Sequence, residues 1–177
     1  MTNVISEVEK MRIVGPVAAE FREEAATTRR VLERVPADKL AWRPHPKSMS
    51  LGQLALHIAT TPGRLAAVVR KPEHEFNPAG NKIEEARGTA EILAAFDQSV
   101  KDAGTYLDGL SEEDARAPFT LKVAGRTIFT KPRISVIRTI MLNHVYHHRG
   151  QLSVYLRELD VPVPSIYGPS ADENPFA

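Results

Sequence analysis

The chain has no cysteine in 177 residues. That absence removes disulfides, thiolate ligands and a cysteine nucleophile, so any transition metal must be held by histidine and carboxylate. An excess of one charge is also missing. The 23 Lys and Arg against 22 Asp and Glu leave +1, without the basic footprint of a nucleic-acid binder or a polybasic membrane anchor. No apolar run approaches the length of a membrane span, and the opening residues MTNVISEVEK carry acids rather than a long hydrophobic region. The expectation is a cytoplasmic protein whose partners include neither nucleic acid nor membrane; the lack of cysteine suits a reducing compartment. Hydrophobic residues make up 42% of the chain, enough for one domain over residues 1–177 to bury a core.

What is present reads as four core-facing helices. The first starts near Pro16, with Val17, Phe21, Ala25, Thr28, Val31, Leu32 and Val35 on one stripe, and Pro36 ends it. The connection from Ala37 to Ser50 holds Trp42, Arg43, Pro44, His45 and Pro46, and its prolines make it extended. Ser50 and Gln53 fit a capping box that opens the second helix. There His57 shares a face with Leu54, Thr61, Leu65 and Val68, and Pro62 is expected to kink or interrupt the helix before it resumes to about Arg70. Lys71 to Gly88 reads as a long polar loop, a solvated connection or a lid, with His74 exposed in it.

Thr89 is the expected N-cap of a third helix bearing Ile92, Phe96, Val100, Ala103 and Leu107. Ser111 to Asp114 suggests a short capped turn, and Phe119 to Phe129 a small β-hairpin around Ala124 and Gly125. The last helix runs from between Pro132 and Ser135 to about Leu159, and an irregular tail follows from Pro162. Four amphipathic helices of this kind form an all-α four-helix bundle, and the long second and third connections allow crossovers.

The last helix carries the chemistry. His144 and His148 are four residues apart, hence on one face, on a stripe that periodicity shares with Ile137, Met141, Leu152 and Tyr155. Two imidazoles have replaced core side chains, and each needs a hydrogen-bond partner, a carboxylate or a metal. Spacing alone leaves metal ligation and a satisfied core pair equally open. His57 faces inward as well, and bundle cores build metal sites from facing helices. Three histidines with an open position are the ligand set of a catalytic rather than a structural ion. His147 falls about 100° from His148 on the wheel, which suggests an outer-shell or surface role. Trp42 reads as a buried anchor more than a substrate platform, Tyr155 as core packing or a pocket floor, and Gln151 as a partner to ligand or water. Arg149 and Asn143 point away, Arg149 to the surface or a subunit contact. No carboxylate base stands beside the histidines in sequence, which favours a bound thiol over an activated water.

Trp42-Arg43-Pro44, Lys47 through His57, and His144-Val145-Tyr146-His147-His148-Arg149-Gly150-Gln151-Leu152 together resemble the DinB-like superfamily of damage-inducible and YfiT-like proteins. The resemblance spans nearly the whole chain in motif order. It implies a four-helix bundle, often dimeric, with a divalent metal on three histidines matching His57, His144 and His148. Relatives so implied include thiol-dependent transferases and a maleylpyruvate isomerase. The expected function is thus metal-dependent transfer of a low-molecular-weight thiol to a small electrophile, in a homodimer. A metal-dependent hydrolase and a non-catalytic metal-binding helical module are the alternatives. Imidazole suits zinc or nickel, with iron a further option.

Overall fold

The computed structural model describes residues 12–80 and 84–176. The opening MTNVISEVEK stretch and residues 81–83 of the expected loop lie outside them. The helices are α1 (Val14–Leu32), α2 (Leu51–Val69), α3 (Thr89–Asp108), the short α4 (Glu112–Arg116), and a final rod. That rod is α5 (Arg133–Val136), a π-helical segment (Ile137–Asn143) and α6 (His144–Glu158), end to end. α1 packs on α3 and the rod, and α2 packs on the same two. So α1 lies diagonal to α2, and α3 diagonal to the rod. The connections that cross the bundle are therefore the first and third, while the long second one joins neighbours.

Local chemistry sets the helix starts. Ser50 accepts the Gln53 amide at 3.1 Å and Gln53 accepts the Ser50 amide at 2.9 Å, the expected capping box. α1 takes its cap from far away: the Glu112 carboxylate accepts the Ile13 and Val14 amides at 2.9 and 3.0 Å. These donors and Arg116 hold the Glu112 carboxyl below its usual range. Thr89 is not the N-cap of α3. Gly88 holds that place, and the Thr89 hydroxyl donates to the Val35 carbonyl at 2.8 Å, tying α3 to the end of α1.

Pro62 does not interrupt α2, which runs as one helix from Leu51 to Val69. The Thr61 hydroxyl donates to the His57 carbonyl at 2.7 Å, and the Gly63 amide donates across to Ser99 Oγ at 2.8 Å. Side chains thus serve backbone groups around the proline, and the helix is held by its neighbour. A Cβ at Gly63 would lie 3.0 Å from the Ser99 Cα, so glycine permits this close approach.

The hairpin is present, as β2 (Pro118–Val123) and β3 (Arg126–Pro132), turning through Ala124 and Gly125 with positive φ at both. The expected loop contributes a strand as well. β1 (Glu73–Glu75) pairs in parallel with β2, so this stretch is partly a sheet edge. The tail from Pro162 is irregular as expected, yet it is tied down: Val163 is buried, and Asp172 and Glu173 pair with Arg157 and Arg30.

Two apolar clusters fill the bundle. One gathers Leu32, Leu54, Ile58, Phe96, Leu152 and Leu156; the other gathers Phe21, Leu65, Val69, Leu107, Ile137 and Met141. Along α2 the change falls between Ala59 and Leu65, and along the rod between Leu142 and Val145. His57 and His144 stand at or beside that junction. The single stripe expected for the rod is thus divided. π winding shifts the phase upstream of His144, and Ile137 and Met141 serve one cluster while Leu152 serves the other.

Candidate metal centre and its cavity

α2 and α6 bring His57, His144 and His148 together. His57 Nε2 lies 3.0 Å from His144 Nε2, and one nitrogen from each of the three rings falls within 4.8 Å of the others. Ring centroids are 5.2 Å apart for His57 and His144, 4.8 Å for His57 and His148, and 4.3 Å for His144 and His148. Two neutral nitrogens at 3.0 Å either share a proton or direct both lone pairs at one cation. Bonds of about 2.1 Å in a tetrahedral ion place neighbouring nitrogens roughly 3.4 Å apart, so the cluster is of the right size to hold one.

Its electrostatics keep the rings neutral. Burial, then the neighbouring His148 and His144, then Arg64, lower the pKa of His57 to about 4. Burial and nearby imidazoles lower His144 as well, and burial lowers His148 against the opposing bond from Gln151. A neutral imidazole offers a lone pair, which is the state a metal needs. Gln151 settles which one: its Oε1 lies 2.7 Å from His148 Nδ1. An amide oxygen only accepts, so Nδ1 carries the proton and Nε2 keeps its lone pair. Three neutral nitrogen donors without cysteine form a set that can hold a divalent ion.

His57 and His144 form part of the wall of a cavity of about 800 Å³. The small sheet supplies much of the rest. His74 on β1, Leu121 on β2 and Phe129 on β3 are register partners in one cross-strand row, and all three line the cavity. Phe76, just past the end of β1, and Phe119, two residues from that row along β2, line it as well. His74 is therefore half-buried in a wall, not exposed in a loop. Leu56, Leu65, Val68, Val136 and Ile140 complete the apolar lining, and Arg64 and Glu84 add one charge of each sign. No carboxylate stands beside the histidines in sequence, but Glu84, an exposed residue of the second connection, lines the same cavity. The alternation of His74 with Phe76, and of Phe119 with Leu121, was the signal available in sequence.

The remaining candidates fall outside the cavity. His147 is exposed, its ring 5.0 Å from that of His148. Trp42 and Tyr155 are half-buried and meet edge to face at 5.4 Å, and the Tyr155 hydroxyl donates to the Met49 carbonyl at 3.3 Å. They anchor the first connection on α6. His45 is exposed, and its Nδ1 accepts the Lys47 amide.

Arg149 is the clearest departure from expectation. It is 1% exposed, not on the surface. Its guanidinium pairs with Glu24 at 2.7 Å, donates to Thr28 Oγ1 at 3.1 Å and to the Tyr167 hydroxyl, and lies 5.3 and 5.0 Å from the Tyr146 and Tyr167 ring centres. On the wheel it points away from His148, but that side of the rod faces α1 and the tail rather than water.

Comparison with known proteins gives one family. Residues 20–152 match the family model of the DinB superfamily. The uncharacterized protein YjoA of Bacillus subtilis (strain 168) is 28% identical over 149 residues, 81% of this chain and 88% of that protein. YrdA of the same organism, also uncharacterized, is 23% identical over 154 residues, 85% of each. The crystal structure of YjoA, described as DinB-like, superposes with a TM-score of 0.66 at 22% identity, covering 85% of this chain and 97% of that one. A DinB-like protein from Bacillus cereus ATCC 10987 gives 0.66 at 20% identity, covering 85% and 95%.

Proposed function

This chain belongs to the DinB superfamily, and from that premise we propose that it is a metal-dependent thiol S-transferase acting on a small electrophile. The observation that carries this reading is the convergence of three neutral imidazoles, without a cysteine, two of which, His57 and His144, line a largely apolar cavity. His57, His144 and His148 are the ligands, with zinc or nickel favoured over iron, and Gln151 holds the tautomer of His148. These three histidines would hold a divalent ion, and the chemistry it would supply there is Lewis-acid activation of a thiol at neutral pH. The phenylalanine wall holds the electrophile and excludes water from it. With an aryl halide, a carbon–sulfur bond forms, the carbon–halogen bond breaks, halide departs and the thiol proton passes to solvent. The partners on this reading are a low-molecular-weight thiol, the electrophile and a second copy of the chain. The compartment is the cytoplasm, where such thiols stay reduced.

Glu84 in the cavity wall favours one competing reading, a hydrolase in which this carboxylate takes a proton from water. One assay separates the two. Untagged protein loaded with zinc or nickel is given chlorodinitrobenzene with glutathione or cysteine, and in parallel an aryl ester without thiol. The transferase reading expects conjugation above background, abolished by chelator and by His57→Ala, and retained in Glu84→Gln. Metal-dependent ester cleavage lost in Glu84→Gln, with no conjugation, would establish the hydrolase instead.

A further inference from the structure

The cavity also states what kind of molecule suits it, an inference that rests on the proposed function only for what the molecule becomes. Its volume of about 800 Å³ lies within the range of small-molecule sites. One wall is a continuous apolar surface from Phe76, Phe119, Leu121 and Phe129. The polar groups that remain for a ligand are few. The Thr60 and Thr61 hydroxyls are spent on the Leu56 and His57 carbonyls at 2.9 and 2.7 Å. Arg64 makes no ion pair with any described residue, although it is the arginine of the lining. Its charge is close enough to disfavour protonation of His57.

Charge decides between an anionic and a cationic ligand. Three neutral imidazoles leave a divalent ion its full charge, Arg64 adds one, and Glu84 removes one. The sum is positive at a cavity whose walls are mostly apolar, and Arg64 and Glu84 themselves are solvent-exposed at it. We propose that the cavity binds a compact apolar organic anion, a carboxylate held by Arg64 with its hydrocarbon body on the phenylalanine wall. If the transferase reading holds, that anion is the electrophile, and Arg64 is the positioning residue that orients it toward the histidines. A guanidinium matches a carboxylate in a two-bond fork, which a lysine ammonium reproduces in charge but not in shape.

The test is calorimetric titration of untagged protein, zinc-loaded and zinc-free, with naphthylacetate, naphthylacetamide and naphthylmethylamine, which share one ring system. Metal content is measured on the same samples. The expected result is that the acid binds about tenfold more tightly than the amide in both forms, and the amine most weakly. Arg64→Gln abolishes the preference and Arg64→Lys restores part of it. Equal binding of acid and amide, or tightest binding of the amine, overturns the inference. So does an acid preference that survives in Arg64→Gln and appears only with zinc, since the ion itself would then be the anion's partner. An Arg64-dependent preference in protein that takes up no zinc supports the inference while the metal-centred reading fails, so the two can fall separately.

Discussion

His148 and Arg149 are adjacent in the chain, face different sides of one helix, and meet opposite treatments of charge. On the Arg149 side every group is answered. The guanidinium has a carboxylate, two hydroxyls and two aromatic faces, the Tyr167 hydroxyl donates on to Glu24 at 3.0 Å, and the Tyr146 hydroxyl donates to Glu20 at 3.0 Å. On the His148 side three bases converge with no acid among the described residues bonded to them, and all three resist protonation. A buried charge with complete partners locks α6 to α1 and the tail. A cluster of unanswered lone pairs adds little to the fold and is open to an ion. The helix thus separates the work of holding together from the work of binding by one residue step, about 100° of turn.

The comparison is broken most severely at the arginine. Arg149→Met should destabilise the protein by about 3 kcal/mol, because the half-buried Glu24 carboxylate loses its ion pair and keeps only the bond from the Tyr167 hydroxyl. Adding Glu24→Gln should return much of that loss, and urea unfolding of the two variants checks both. Losing less than about 1 kcal/mol in Arg149→Met would show that the cluster is not a structural lock.

On the other face, Gln151→Ala should weaken zinc binding by about 10- to 100-fold, since His148 loses the bond that fixes its tautomer. Its unfolding midpoint without metal should barely move. Competition against a chromophoric chelator, beside a urea curve, separates these effects.

His57→Ala should change the stability of metal-free protein by no more than about 1 kcal/mol, far less than Arg149→Met. A cost equal to that of the arginine change would erase the contrast between the two faces.

The smallest effect concerns alkali. Burial and the bond to Glu20 raise the pKa of Tyr146 above its usual 10. Above pH 10 the unfolded chain releases this proton while the folded chain keeps it. The unfolded state then binds fewer protons, so stability falls as pH rises through that range. Tyr146→Phe should flatten the fall, and denaturation series between pH 8 and 11 would show it.

How much of this was legible depended on the reach of the interaction. The capping box at Ser50, the hairpin turn at Ala124 and Gly125, and the shared face of His144 and His148 are set within a few residues, and each was readable. His57 was readable as an inward residue, and its meeting with the pair followed from bundle geometry. What escaped is set by distant partners. Glu112 caps α1 from 99 residues away. Arg149 is buried because Glu24 and Tyr167 reach it, which a helical wheel cannot show. His74 becomes a wall residue through its pairing with Leu121. Pro62 stays helical because Ser99 receives the Gly63 amide. The π segment is the remaining case: Ile137 to Asn143 carry no glycine or proline to announce it, and the regular 3.6-residue wheel drew one stripe where there are two.

The central claim is that His57, His144 and His148 hold one metal ion. The most direct test is elemental analysis of protein purified without a polyhistidine tag, beside His57→Ala and His148→Ala. The account predicts about one transition-metal ion per chain in the wild type, lost from both variants while their circular dichroism stays helical. A wild type that arrives without metal and takes up neither zinc nor nickel when folded would contradict it, leaving a helical bundle whose three histidines satisfy one another.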